Sequence, residues 1–160
     1  MKYKTLSSSL IALSLVVVIF NSCKKDEGFT QVTAFEREIL SSINDYRATM
    51  GKPAMTETFL MIDDAQGYSK KMADGSAPFL TAGVDPELAA LKKAIGADSS
   101  GVWVAKCEYE EADSVMKIIK NDPKIVSLLM ADFNLSAVGT AQDLEGTYFI
   151  TNLLLRKPKP

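Results

Sequence analysis

The sequence predicts an α+β domain, and three patterns carry that expectation. Apolar residues recur at helical spacing from Phe35 to Met50 and again in four shorter stretches, residues 101 to 107 alternate as a strand does, and two strand-like runs flank a turn near the C-terminus. At 160 residues, 47% hydrophobic and 24% charged, the chain has the length and composition of one globular domain able to bury its own core. No internal repeat or low-complexity block interrupts it.

Residues 1 to 22 read as a leader. Met1-Lys2-Tyr3-Lys4 is basic, and residues 10 to 20 form an apolar run of eleven, short of the ~20 that a bilayer-spanning helix needs. Phe20-Asn21-Ser22-Cys23 follows, with a small residue before the cysteine. It is similar to the lipobox of bacterial lipoproteins, although Phe20 stands where Leu, Val or Ile is usual. Cys23 is therefore expected to be the lipidated first residue of the mature chain, held at a membrane by acyl chains at roughly 0.8 kcal/mol per buried methylene. An ordinary signal peptide and an uncleaved anchor are the alternatives.

Lys24-Lys25-Asp26-Glu27 resembles the Lys-and-acid run that sends some Gram-negative lipoproteins to the cell surface; the plainer reading is a solvated tether. The expected address is the cell envelope, at the outer membrane and exposed on its surface, with a polar tether at 23 to 34, the domain at 35 to 156 and a tail at 157 to 160. Residues 1 to 22 hold two of the eighteen basic residues, leaving sixteen against twenty acids, net −4. That balance repels a phosphate backbone and argues against a nucleic-acid partner. With Cys23 lipidated, Cys107 has no intramolecular mate, so no disulfide is expected.

The first helix places Phe35, Ile39, Leu40, Ile43, Tyr46 and Met50 on one side and ends at Gly51-Lys52-Pro53. The second runs from Met61 to Ala73, with Thr56 or Thr58 as its cap. Gly67 inside it costs about 1 kcal/mol relative to alanine and predicts close packing or a bend. Gly75-Ser76-Ala77-Pro78 breaks the pattern, and Asp85-Pro86-Glu87 starts a third helix, with a capping side chain, that ends at Gly96. In the strand that follows, Val102, Val104 and Lys106 share one face, and Gly101, Trp103, Ala105 and Cys107 the other. A helix over 110 to 120 stops at Asn121-Asp122-Pro123, and a short helix bearing Ile125, Leu128 and Leu129 follows. Residues 135 to 142 and 147 to 155 then form an antiparallel hairpin around Asp143-Leu144-Glu145-Gly146.

Several of these stretches together resemble the CAP superfamily of cysteine-rich secretory proteins, antigen 5 and pathogenesis-related proteins. They are Ile43-Asn44-Asp45-Tyr46-Arg47-Ala48 with Gly51-Lys52-Pro53-Ala54-Met55; the run Met61, Ala65, Gln66, Ser69, Met72 and Ala73; and Asn121-Asp122-Pro123 leading to Ser136-Ala137-Val138-Gly139. The resemblance covers about residues 35 to 155, and the single free cysteine is like the leaner bacterial branch. It implies a three-layer α-β-α sandwich with a central antiparallel sheet. It also implies a cleft in which many members place two histidines and two glutamates around a divalent metal. Here Ile125 takes one histidine position, the interval Phe79-Leu80-Thr81 holds no replacement for the other, and Val102 takes a glutamate position.

The chain has no histidine at all. A His-ligated zinc site, a Ser-His-Asp triad and a Cys-His pair each need an imidazole, so none is built from this chain, and no metal or cofactor is expected. Asp63-Asp64 as a calcium site competes with a solvated helix face, since adjacent helical residues point apart. Glu108, Glu110 and Glu111 as a carboxylate pair compete with acids favoured at a helix start. Cys107 as a nucleophile competes with a packed thiol, and Trp103 as a ligand platform with a core residue. Asn134-Leu135-Ser136 matches a eukaryotic glycosylation acceptor, which a bacterial leader makes coincidental.

With hydrocarbon in place of imidazole and carboxylate, Phe79, Val102 and Ile125 are expected to line a hydrophobic groove or to extend the core. The sequence thus points to a lipid-anchored, non-enzymatic envelope domain that binds a protein or a small apolar ligand; some members of the family bind sterols or fatty acids. The rivals are a hydrolase using Glu108 or Glu111 with Cys107, and a structural spacer.

Overall fold

A computed structural model describes residues 31–159; the leader, Cys23 and residues 24–27 lie outside the described residues. The elements run α1 (Ala34–Thr49), β1 (Thr56–Glu57), α2 (Ile62–Ala73), α3 (Asp85–Ile95), β2 (Ser99–Cys107), α4 (Ala112–Asn121), α5 (Pro123–Met130), β3 (Leu135–Gln142) and β4 (Tyr148–Arg156). Short 3-10 turns at Phe59–Met61 and Thr81–Val84 precede α2 and α3. The sheet order is β1-β3-β4-β2. The three long strands are antiparallel, as expected, while β1 adds a two-residue parallel edge in which Thr56 faces Leu135.

Side-chain alternation along the strands divides the interior in two. Phe35, Ile39 and Ile43 of α1, Val115 and Ile119 of α4 and Leu129 of α5 pack with Trp103, Ala105, Val138, Ile150 and Leu154. Ile62, Ala65 and Met72 of α2 and Leu88 of α3 pack with Ala137, Leu153 and Leu155. Helices thus cover both faces, and the result is the three-layer α-β-α sandwich of an α+β fold.

The helix ends follow local chemistry. Thr33 and Glu36 form a reciprocal capping box on α1, with Glu36 N–H donating to Thr33 Oγ1 at 3.1 Å and Thr33 N–H donating to Glu36 Oε2 at 2.8 Å. Val32, just before the cap, is buried. Asp122 caps α5 by accepting from Lys124 N–H at 2.8 Å, and Pro123 opens that helix. Two expected caps differ. Thr56 lies in β1, Thr58 makes no capping bond, and α2 begins only after the 3-10 turn. Asp85 sits inside the first turn of α3, with Val84 in the cap position and no side-chain cap bond. In both cases a 3-10 turn leads into the helix and has already curled the chain, so the expected polar residue does not occupy the cap position.

Two side chains tie α1 to distant backbone. Asn44 brackets Met55, donating to its carbonyl at 3.0 Å and accepting from its N–H at 2.9 Å. Arg47 is fully buried, and its guanidinium donates to the carbonyls of Pro53 (3.1 Å), Ala131 (3.2 Å), Phe133 (3.1 Å) and Leu129. Burial pushes the Arg47 pKa down from its ordinary value, and the charge of Asp132 pulls it back up. Glu36 performs a similar task at the other end of α1. Beyond the short β1, the outer edge of β3 is left open, and Glu36 Oε1 accepts from Thr140 N–H there at 2.8 Å.

Gly139 and Gly67 have opposite roles. A Cβ on Gly139 would overlap the Ala65 and Gln66 backbone, so α2 reaches β3 only because that position lacks a side chain. Gly67, within α2, has open space around it, which corrects the expectation of close packing there.

Gly139→Ala is accordingly expected to lose about 3 kcal/mol or more through overpacking against backbone, and Gly67→Ala to gain about 0.5–1 kcal/mol, both read by urea unfolding. Arg47→Met strands four carbonyls and is expected to cost about 3 kcal/mol or more. Arg47→Lys keeps the charge but lacks the planar fork, and should recover less than half of that loss in the same assay.

Candidate functional site

Phe79, Val102 and Ile125, expected to line a hydrophobic groove or to extend the core, do not share a groove, and Ile125 belongs to the core. Ile125, in the first turn of α5, is buried in the cluster beneath α1, α4 and α5. Val102 is half-buried and packs against the other cluster, beneath α2 and α3. The sheet lies between them. The physical reason is the period of two along β2: Trp103, Ala105 and Cys107 point to the Ile125 side, so Val102, Val104 and Lys106 point away from it. Phe79 lies on the Val102 side, with its ring edge-to-face on Phe149 (centroids 6.1 Å apart) and Lys106 Nζ 5.6 Å from its centre. About 13 Å of strand separates Lys106 from Val102, so Phe79 and Val102 are not neighbours either.

The interior is more polar than an exchange of imidazole for hydrocarbon implies. Glu36, fully buried, accepts from Gln66 Nε2 at 2.9 Å as well as from Thr33 and Thr140. Ser69 donates to Gly139 O at 2.8 Å and lies 2.9 Å from the Thr151 hydroxyl. Asn152 donates to Ser136 Oγ at 2.7 Å and to Ala137 O at 3.1 Å. These groups lock α1 and α2 onto β3 and β4 through short hydrogen bonds. Sequence reasoning passed over them because each reads as an ordinary helix or strand residue until its partner, up to 104 positions away, is known.

Cys107 is buried, its thiol donates to Tyr109 O at 3.2 Å, and burial pushes its pKa up. That is the environment of a packed thiol rather than of an activated nucleophile. Glu110 Oε2 accepts the Tyr148 hydroxyl at 2.9 Å, and Glu111 lies 3.4 Å from the Ser114 hydroxyl. The Asp64 carboxyl is pushed up by burial first and then by the charges of Glu87 and Asp63. Among the described residues, no group of three or more Cys, Asp or Glu side chains is placed to hold a metal ion.

Several depressions mark the surface of the described residues, among them four of about 80 to 570 Å³. One of about 570 Å³ lies between the end of α2 and the β3–β4 turn, beside the fully exposed Leu144. One of about 390 Å³ is lined by Glu38, Glu110, Glu111 and Asp113, one of about 370 Å³ by Lys52, Met130, Asp132, Phe133 and Arg156, and one of about 80 Å³ by Asp64, Tyr68 and Glu87. Phe79, Val102 and Ile125 line none of these four. No helix among the described residues is long and apolar enough to cross a membrane.

No protein-family model matches the sequence, and no curated protein matches it. Solved structures do match the fold. An extracellular protein containing an SCP domain from Bacillus anthracis aligns with a TM-score of 0.62 at 19% identity over 80% of this chain and 45% of its own. An outer surface protein of Borrelia burgdorferi aligns at 0.66 and 13% over 81% and 97%. A cysteine-rich secretory protein of Staphylococcus aureus aligns at 0.61 and 12% over 77% and 39%. The chain spans less than half the length of the Bacillus and Staphylococcus proteins. At these identities the likeness is one of architecture, and the chain has a CAP-like fold.

Proposed function

We propose that the chain is a lipid-anchored, non-catalytic domain of the cell envelope that works by contact with a protein or a small apolar ligand. The observation that carries the non-catalytic part is the state of Cys107. The strongest nucleophile in a chain without histidine is buried, bonded to Tyr109 O and held protonated by its surroundings. The extracellular SCP-domain protein and the outer surface protein that share the fold support an address outside the cytoplasm. The apolar run of residues 10–20 ending at Cys23 supports a lipid anchor there. Phe79, Leu80, Tyr109 and Leu144 offer a surface for contact. These four exposed apolar side chains follow or precede the ends of α2, β2 and β3 at the hairpin end of the sheet.

Mass spectrometry of the native protein is expected to find an acylated N-terminal Cys23; a peptide still carrying residues 1–22 would overturn the anchor. A thiol-directed probe is expected to label Cys107 at least about tenfold more slowly in the folded chain than in urea. Rapid labelling at neutral pH in the folded chain would favour the hydrolase reading instead. Native mass spectrometry after soaking with a fatty-acid panel separates the two contact modes: a bound lipid favours the apolar ligand, and none favours a protein.

A further inference from the structure

The depression of about 370 Å³ at the end of the molecule opposite the hairpin combines features that the groove reading does not use. Its walls come from four separate segments. Lys52 follows α1, Ser99 opens β2, Met130 to Phe133 link α5 to β3, and Arg156 ends β4. Lys52 Nζ lies 3.1 Å from Asp132 Oδ1, and Arg156 Nε donates to Asp98 Oδ1 at 2.7 Å. The bond from Arg156 uses only Nε, so among the described residues its two terminal Nη groups have no protein acceptor.

A third cation lies behind the wall. The buried Arg47 guanidinium holds the Ala131 and Phe133 carbonyls from the inside and forms no ion pair with a carboxylate. Its hydrogen-bond partners are all carbonyls, so its full charge adds to the field at the 131–133 segment. Asp132, on that segment, reports the field: its carboxyl is held below the ordinary value first by the hydrogen bond and charge of Lys52, then by Arg156 and Arg47. Lys52 and Arg156 on the lining, with Arg47 behind it, thus place three cations about a depression whose lining carries one carboxylate, that of the exposed Asp132.

We propose that this depression binds a small organic carboxylate. The carboxylate takes the place of Asp132 beside Lys52 Nζ and reaches the Arg156 Nη groups, and the apolar body of the ligand lies against Met130 and what little the largely buried Phe133 exposes. A guanidinium offers a planar pair of donors to a carboxylate, and an ammonium adds a point charge beside it. The volume suits a compact ligand, at the small end of the range for such sites. The site rests on the reading of the chain as a binding domain but not on the anchor: a chain whose Cys23 proves unacylated is still expected to bind.

The test is titration of the full chain with sodium benzoate, followed by backbone amide shifts. Acetate supplies the carboxylate without the body, benzamide the body without the charge, and inorganic phosphate an oxyanion without either. Benzoate is expected to shift the amides of residues 52, 99 and 130–133 saturably, acetate to bind at least about fivefold more weakly, and benzamide not to saturate. Arg156→Gln is expected to weaken benzoate by about tenfold or more. Asp132→Asn removes the competing carboxylate and is expected to tighten benzoate severalfold. Because Asp132 is exposed, that variant tests the site even if Arg156→Gln disturbs folding, which a thermal melt would reveal. Phosphate or benzamide binding as well as benzoate, shifts elsewhere on the molecule, or an Asp132→Asn variant with unchanged or weaker affinity would each overturn the proposal.

Discussion

The guanidinium of Arg47 is the constraint on which one end of this molecule is built. It reaches from the last turn of α1 to the Pro53 carbonyl on one side and to the carbonyls that end α5 and enter β3 on the other. A helix leaves its last carbonyls without intrahelical partners, and a buried turn leaves others. One planar cation satisfies several at once, which a lysine or a set of waters would do with less definite geometry. The cost is a desolvated charge, which the downward pull on its pKa expresses. The Asn-x-x-Arg spacing on α1 therefore has a structural cause. Asn44 holds the chain just before β1, and Arg47 holds the α1–β1 link together with the end of α5 and the link from α5 to β3, so α1 sets where β1 and β3 enter the sheet.

The opposite end of α1 is held by a charge of the other sign. Glu36 completes its own capping box and then uses its remaining acceptor capacity on Gln66 of α2 and Thr140 of β3. A buried carboxylate without a cation survives only when its lone pairs are met by donors, and here they come from three different elements. Gly139 lets α2 approach closely enough for Ser69 to reach its carbonyl and the Thr151 hydroxyl. Glu36, Gln66, Ser69, Thr140 and Thr151 thus act as fasteners between the layers, bonded to one another across elements.

The centre of the sandwich is divided by the sheet and filled on both sides. At the hairpin end the surface carries exposed apolar side chains, including Leu144 and Phe79. At the Arg47 end it carries cations around a depression. Hydrocarbon and positive charge recognise different chemistry, so the two ends are suited to different contacts.

Most of the fold was legible in the sequence. The period of 3.6 marked α1, the alternation at 101 to 107 marked β2 with the correct faces, and Asp143-Leu144-Glu145-Gly146 marked the hairpin; these are local signals, written by neighbouring residues. The missed caps at Thr56, Thr58 and Asp85 failed because short 3-10 turns carry almost no periodicity. The site was far less legible. Placing Val102 and Ile125 in one cleft required knowing on which side of the sheet α5 lies, and no local pattern encodes that. Only the tertiary structure decided it, as it decided that Arg47 would face carbonyls and that Lys52 and Arg156, 104 positions apart in sequence, would line one depression. Local periodicity determined the elements because hydrogen bonds in helices and hairpins join near neighbours; the sites depended on contacts whose partners only packing brings together.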